Sequence, residues 1–94
     1  MMEFEWDEAK NISNVAKHGI EFEQAASVFA HPCLSMTVAD DRFSERRVMT
    51  IGRYEDTYLS ILTVIHTQRG QKVRIISARP ASRKERFLYE QTLR

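Results

Sequence analysis

The order of sequence patterns predicts an α+β fold: a short N-terminal strand, two helices, an antiparallel four-stranded meander and one C-terminal helix. Three observations carry this reading. Two stretches in the first third repeat apolar residues at helical spacing between capping residues. Four stretches between Leu34 and Arg79 read as strands joined by short polar turns, which favours neighbours that pair in sequence order. The last stretch opens on Ser82-Arg83-Lys84-Glu85, the signature of a capping box. At 94 residues the chain is one domain, residues 1–94, with a modest core.

Phe4-Glu5-Trp6 alternates as a short strand. Asp7 then caps a helix that places Glu8 in its first turn and ends near His18, with Gly19 just past its end. At 100° per residue, Ala9, Ile12, Val15 and Ala16 share the face expected to meet the core. Lys10, Asn11, Asn14, Lys17 and His18 fill the polar face opposite. In the second helix, about Phe22 to Ala30, Phe22, Ala25, Ala26 and Phe29 form a core-facing seam, and Pro32 stops it.

Leu34–Ala39 is expected as a strand, followed by a polar turn at Asp40-Asp41-Arg42-Phe43-Ser44. Arg46–Arg53 is the next, with Arg47, Met49 and Ile51 on one side. Tyr58–Thr67 is almost continuously apolar, as a central strand covered on both faces should be. Lys72–Arg79 is the last, and strict alternation sets Arg74, Ile76 and Ala78 against Val73, Ile75, Ser77 and Arg79. In the final helix Glu85 and Tyr89 share one side, and Phe87, Leu88 and Leu93 are expected to bury the other.

No apolar run approaches the roughly 18 residues of a membrane span, and the acidic start is unlike a secretory signal. The single Cys33 excludes an internal disulfide, suits a reducing compartment and reads as a small buried hydrophobe. Charge is polarised. Residues 1–41 hold two lysines against eight carboxylates, a net −6, and residues 42–94 hold twelve cations against five carboxylates, a net +7. Such asymmetry points to a polyanionic partner, or to halves that neutralise each other across the fold. Arginine outnumbers lysine ten to two in the basic half, and its planar fork grips phosphate bidentately where lysine offers a point charge.

The sequence contains no Gly-rich phosphate loop, HExxH, paired-cysteine motif or nucleophile elbow, and its aspartates lack metal-binding spacing. A nuclease chemistry here is therefore expected to be metal-independent, with no cofactor. RNA permits it: the 2′-hydroxyl attacks the neighbouring phosphorus while fixed cations stabilise the developing charge and side chains move the protons. Arg47, Arg69, Arg74 and Arg79 lie on or beside predicted strands. Glu45, His18 and Tyr89 are candidate proton carriers. Each has a structural alternative: a surface ion pair for Glu45, a helix-dipole complement for His18, a half-buried ring at the helix–sheet seam for Tyr89. His66, inside the apolar strand, reads as a hydrogen-bonded core histidine.

Several segments combine in a recognisable order. They are Phe4-Glu5-Trp6-Asp7, Lys10, Asn14, Lys17-His18-Gly19, Phe22 and Ala25; then Glu45, Arg47 and Ile51-Gly52; then Thr67 and Arg69; then Arg74 to Arg79, Ala81, Glu85 and Tyr89. Over essentially its whole length the chain resembles the BrnT toxins. The resemblance implies a RelE-like fold and a bacterial type II toxin with ribonuclease activity in the cytoplasm. It also implies a BrnA-like antitoxin with a ribbon-helix-helix domain, a dimeric or hetero-oligomeric complex, and contact with DNA only through that antitoxin. Glu45, Arg47, Arg79, His18 and Tyr89 are then the expected catalytic group, and Lys17, Arg69, Arg74 and Arg83 the expected RNA contacts. Two departures stand out. Glu21 replaces the usual Ser or Thr before Phe22, which is expected to weaken the cap of the second helix, and Val48 replaces a common aromatic. The competing expectation is a non-catalytic module whose arginines hold RNA or an acidic antitoxin within a DNA-binding repressor complex.

Overall fold

The computed structural model describes residues 2–38, 46–54 and 60–93. The expected turn at Asp40-Asp41, the beginning of the central strand at Tyr58, and Glu45 lie outside them. The elements run β1 (Glu3–Trp6), α1 (Glu8–His18), α2 (Phe22–Ser27), a 3₁₀ turn (Val28–Ala30), β2 (Leu34–Val38), β3 (Arg47–Arg53), β4 (Ile61–Arg69), β5 (Lys72–Pro80) and α3 (Arg83–Leu93). They form an α+β fold with one five-stranded mixed sheet of order β1-β5-β4-β3-β2. Strands β2 to β5 pair antiparallel with their sequence neighbours, and β1 joins β5 in parallel, Phe4 opposite Val73 and Trp6 opposite Ile75.

Each face of the sheet has its own core. On one, Phe22, Ala25 and Val28 pack on Leu62, Val64, Ile75 and Ala78. Phe4 meets Phe29 at 5.3 Å between ring centroids, and Trp6 meets Phe22 edge-on at 6.1 Å. On the other, α3 sets Tyr89 against Ile51 and Ile61, with Leu34, Met36 and Met49 around them. At Gly52 the 3₁₀ turn lies close against the sheet. A Cβ there would stand 2.7 Å from Val28 Cγ1 and 3.0 Å from Cys33 Cβ.

The caps of α1 form as expected. Asp7 Oδ1 accepts from the amides of Ala9 and Lys10, and Gly19 takes the left-handed conformation at φ 70°, donating to the Val15 carbonyl. The orientation of the helix is the reverse of the expectation. Ile12 is 65% exposed and Val15 38%, whereas Asn14 is buried at 6%. The cause lies at the edge of β5. β1 ends at Trp6, opposite Ile75, and leaves the strand beyond it without a neighbour. Asn14 takes the neighbour's place: its amide donates to the Ala78 carbonyl at 2.8 Å and accepts the Ala78 N–H at 3.1 Å, as a paired strand would. It donates as well to the Ile20 carbonyl, and Asn11 accepts the Phe22 N–H at the start of α2. A polar face lies inward because backbone groups, not apolar side chains, await it.

The second helix departs in detail. It relaxes into the 3₁₀ turn after Ser27. Glu21 does not leave its start unsupported, since Gln24 reaches back to accept the Glu21 N–H at 2.9 Å. In α3 the capping box forms, but Phe87, Leu88 and Leu93 are exposed and Tyr89 is the buried residue.

The role given to Asn14 separates sharply from one in which Ile12 anchors α1. Asn14→Ala orphans two carbonyls and an amide and should lower unfolding stability by about 2–4 kcal/mol. Ile12→Ser should change it by less than about 0.5 kcal/mol. Thermal unfolding of both variants measures the contrast.

Candidate functional site

The helix pair covers one sheet face, while α3 covers only part of the other. The register places Arg47, Met49, Ile51 and Arg53 of β3 and Ile61, Thr63, Ile65 and Thr67 of β4 on that second face. β5 does not keep the expected alternation. His66 opposes Ile75 and Ile65 opposes Ser77, so Ile76 is an extra residue, a β-bulge. The bulge shifts the phase of everything after it. Ala78 turns inward to the first core, and Arg79 joins Arg74 on the second face. Arg47, Arg74 and Arg79 therefore share one face, and Arg69, two residues beyond Thr67, extends it at the β4–β5 turn.

Arg74 and Arg79 oppose Thr67 and Thr63, four residues apart on β4. That sets them roughly 13 Å apart along the sheet. Arg74 pairs with Glu5 of β1 across the sheet, so part of the charge polarity is indeed neutralised within the fold. Arg79 makes a fork with Glu85: Nη1 to Oε1 at 2.7 Å and Nη2 to Oε2 at 2.8 Å. The same Glu85 Oε1 accepts from the Thr63 hydroxyl at 2.9 Å and from the Ser82 amide at 2.8 Å. The Arg79 fork first, then the Ser82 and Thr63 donors, hold the Glu85 carboxyl down to about 2, against the opposing effect of burial. Pairing with Glu85 in turn raises the Arg79 guanidinium. At neutral pH Glu85 is thus a fixed anion that orients Arg79, and a poor proton acceptor.

The remaining candidates separate. Lys17 and His18 sit in the last turn of α1 and line a cleft of about 170 Å³ with Lys10, Ser13, Asn14, Ile76 and Ser77. Arg83 is exposed at the start of α3. Tyr89, 4% exposed, packs in the second core. Glu45 lies outside the described residues. His66 is the core histidine expected: its Nε2 lies 2.6 Å from Thr50 Oγ1, Phe29 meets its ring edge-on at 4.9 Å, and burial pushes its pKa down. Burial also pushes up the half-buried Cys33 thiol. Among the described residues, no three His, Cys, Asp or Glu side chains gather as a metal-ion site, and no helix is long and apolar enough to cross a membrane. In the sequence Glu85 was visible as a helix cap and as one residue of the family pattern; its bond to Arg79 needed the bulge to bring the two together.

Comparison with known proteins gives a family. The family described as "Ribonuclease toxin, BrnT, of type II toxin-antitoxin system" matches residues 6–85. Among solved structures, the 1.1 Å crystal structure of the Brucella abortus ribonuclease toxin BrnT superimposes with a TM-score of 0.64 at 32% identity. That match covers 88% of this chain and 100% of the Brucella chain. Among curated proteins compared by sequence, none matches. The chain belongs to the BrnT family, the ribonuclease toxins of type II toxin–antitoxin systems.

Proposed function

We propose that this protein is a metal-independent endoribonuclease of RelE-like fold that cuts RNA on the arginine-bearing sheet face. The observation that carries the reading is the bulge at Ile76, which brings Arg74 and Arg79 to the face of Arg47. Three guanidinium groups on rigid strands suit the dispersed anionic charge of a phosphodiester and of the transition state formed from it. In the reaction a base removes the 2′-hydroxyl proton, the 2′-oxygen bonds to the adjacent phosphorus, and the bond to the 5′-oxygen breaks. The leaving oxygen takes a proton, so the products are a 2′,3′-cyclic phosphate and a free 5′-hydroxyl. Arg47 and Arg79 stabilise the phosphoryl oxygens. Arg69, Arg74, Arg83 and Lys17 hold the flanking chain. Glu45 is the proposed proton carrier on this face, whereas His18 lines the cleft beside α1 and Tyr89 anchors α3 through its buried ring.

A BrnA-like ribbon-helix-helix antitoxin is the proposed partner. It would cover the same face in a hetero-oligomer in the cytoplasm, and only the antitoxin would touch DNA. Complementary charge would speed and orient that association more than strengthen it. A second reading has its own support. Arg74 and Arg79 already hold carboxylates, Glu5 and Glu85, so an acidic partner segment suits the face without any cleavage. RNA cleavage by the purified chain decides between the two.

Three outcomes follow from the first reading. Cleavage persists in EDTA and leaves 2′,3′-cyclic or 3′-phosphate ends; fragments ending in 3′-hydroxyls, or loss of activity to EDTA, would refute it. Arg47→Lys and Arg79→Lys each lower cleavage at least about tenfold in protein that remains folded, because a point charge does not reproduce the fork. Wild-type cleavage by the Arg47→Lys, Arg79→Lys double variant would exclude the proposed site. Glu85 gives a pH test. Its folded pKa of about 2 lies below the ordinary 4.5, so its stabilisation is present above pH 4.5 and is lost as pH falls towards 2. Glu85→Gln should unfold about 1–2 kcal/mol more easily at pH 7, and the gap should close across that acid range. A gap unchanged from pH 7 to pH 2 would contradict the ion pair.

A further inference from the structure

We propose that the cleft between α1 and β5 is a separate phosphate subsite, which takes a backbone phosphate of single-stranded RNA one or more nucleotides away from the arginine face. The proposal rests on the RNA-binding part of the reading above for the identity of the polyanion, and does not depend on cleavage.

The cleft exists because of the same irregularity that aligns the arginines. β1 ends opposite Ile75, Ile76 bulges, and Asn14 next engages the strand at Ala78. Between those two contacts the cleft runs along β5, and α1 forms its opposite wall. Its volume, about 170 Å³, is well above what one water needs. Lys10 and Lys17, seven residues apart on one helical face, supply two ammonium groups, and His18 adds an imidazole. Ser13 of α1 and Ser77 of β5 line it from opposite walls. Among the described residues that line it, none is a carboxylate. The acidic half of the chain thus places both of its lysines here. The Asn14 amide forms a fixed wall, since its oxygen and nitrogen already serve Ala78 and Ile20.

Position supplies the link to RNA. Ser77 lies between Arg74 and Arg79 along β5 and, after the bulge, on their face. It is two residues, roughly 7 Å, from Arg79. A strand of RNA crossing the arginine face therefore reaches the cleft over the edge of β5. Lysine suits this place, where a phosphate is held as a charge, whereas arginine occupies the face where geometry matters.

The test reads binding, with an uncleavable probe. A fluorescent 2′-O-methyl oligonucleotide is titrated into the full chain by anisotropy at several salt concentrations. Lys10→Gln, Lys17→Gln should weaken binding about tenfold or more and reduce the log–log salt slope by about 0.7, the value for one phosphate contact on a single strand. Ser13→Asp, which adds a carboxylate on the α1 wall of the cleft, should weaken binding comparably. Lys84→Gln, Arg86→Gln removes the same charge from the exposed side of α3 and should change affinity by less than about twofold. Equal loss in that control would mean that bulk charge alone is read, and would overturn the subsite. So would wild-type affinity and slope in the lysine variant. If inorganic phosphate shifts the Lys17 and Ser77 amide resonances while the lysine variant still binds the oligonucleotide normally, the cleft takes a free anion and the RNA assignment falls. Thermal unfolding of each variant ensures that folded protein is compared. An inactive wild type that binds RNA through Lys10 and Lys17 would refute the ribonuclease reading and leave this inference standing.

Discussion

The Glu85 carboxylate ties the start of α3 to the paired strands β4 and β5. Its oxygens accept from Arg79 on β5, from Thr63 on β4 and from the Ser82 amide that begins α3. A partly buried carboxylate with four donors is an anion that stays put, and the helix it caps is fixed to the sheet by the same bonds. Tyr89, one turn further on, then drops into the second core beside Ile51 and Ile61. Where α3 comes to rest sets how much of this sheet face it covers.

The arginine face works against a background of internal pairing. Arg74 meets Glu5 and Arg79 meets Glu85, so the +7 charge of the second half is not wholly available to a partner. Paired arginines are held still, which lowers the entropy lost when they engage a phosphate. The same carboxylates make any approaching phosphate compete for the guanidinium donors. Binding by such a face is thus expected to depend on geometry more than on net charge, in keeping with the choice of arginine over lysine.

The edge of β5 shows a second economy of design. Where β1 stops, a side-chain amide continues the ladder for one residue, and the helix that carries it turns its polar side inward. That arrangement leaves Ile12 and Val15 in solvent and opens the lysine-lined gap beside Ser77. Covering an unpaired strand edge matters for a small protein, since a bare edge invites pairing with other chains.

What the sequence by itself determined was local or repetitive. Asp7 and Gly19 bound the first helix, Ser82 and Glu85 begin the last, and the apolar run through Ile61–Thr67 is the sheet's middle strand, because caps and long apolar runs act on their own neighbours. The motifs spread from Trp6 to Glu85 also carried the family, since order and residue type need no coordinates. Tertiary structure decided which face each helix buries and which arginines share a face of the sheet. Periodicity marks an apolar stripe on α1 but cannot know that the waiting surface is a row of backbone amides and carbonyls, so Asn14 went inside and Ile12 out. Alternation cannot count a residue that bulges, so Arg74 and Arg79 read as opposed when Ile76 sets them on one face. The first outcome depends on hydrogen bonds between residues 64 positions apart, Asn14 and Ala78, and the second on the register that β5 takes against β4, neither of which local periodicity records.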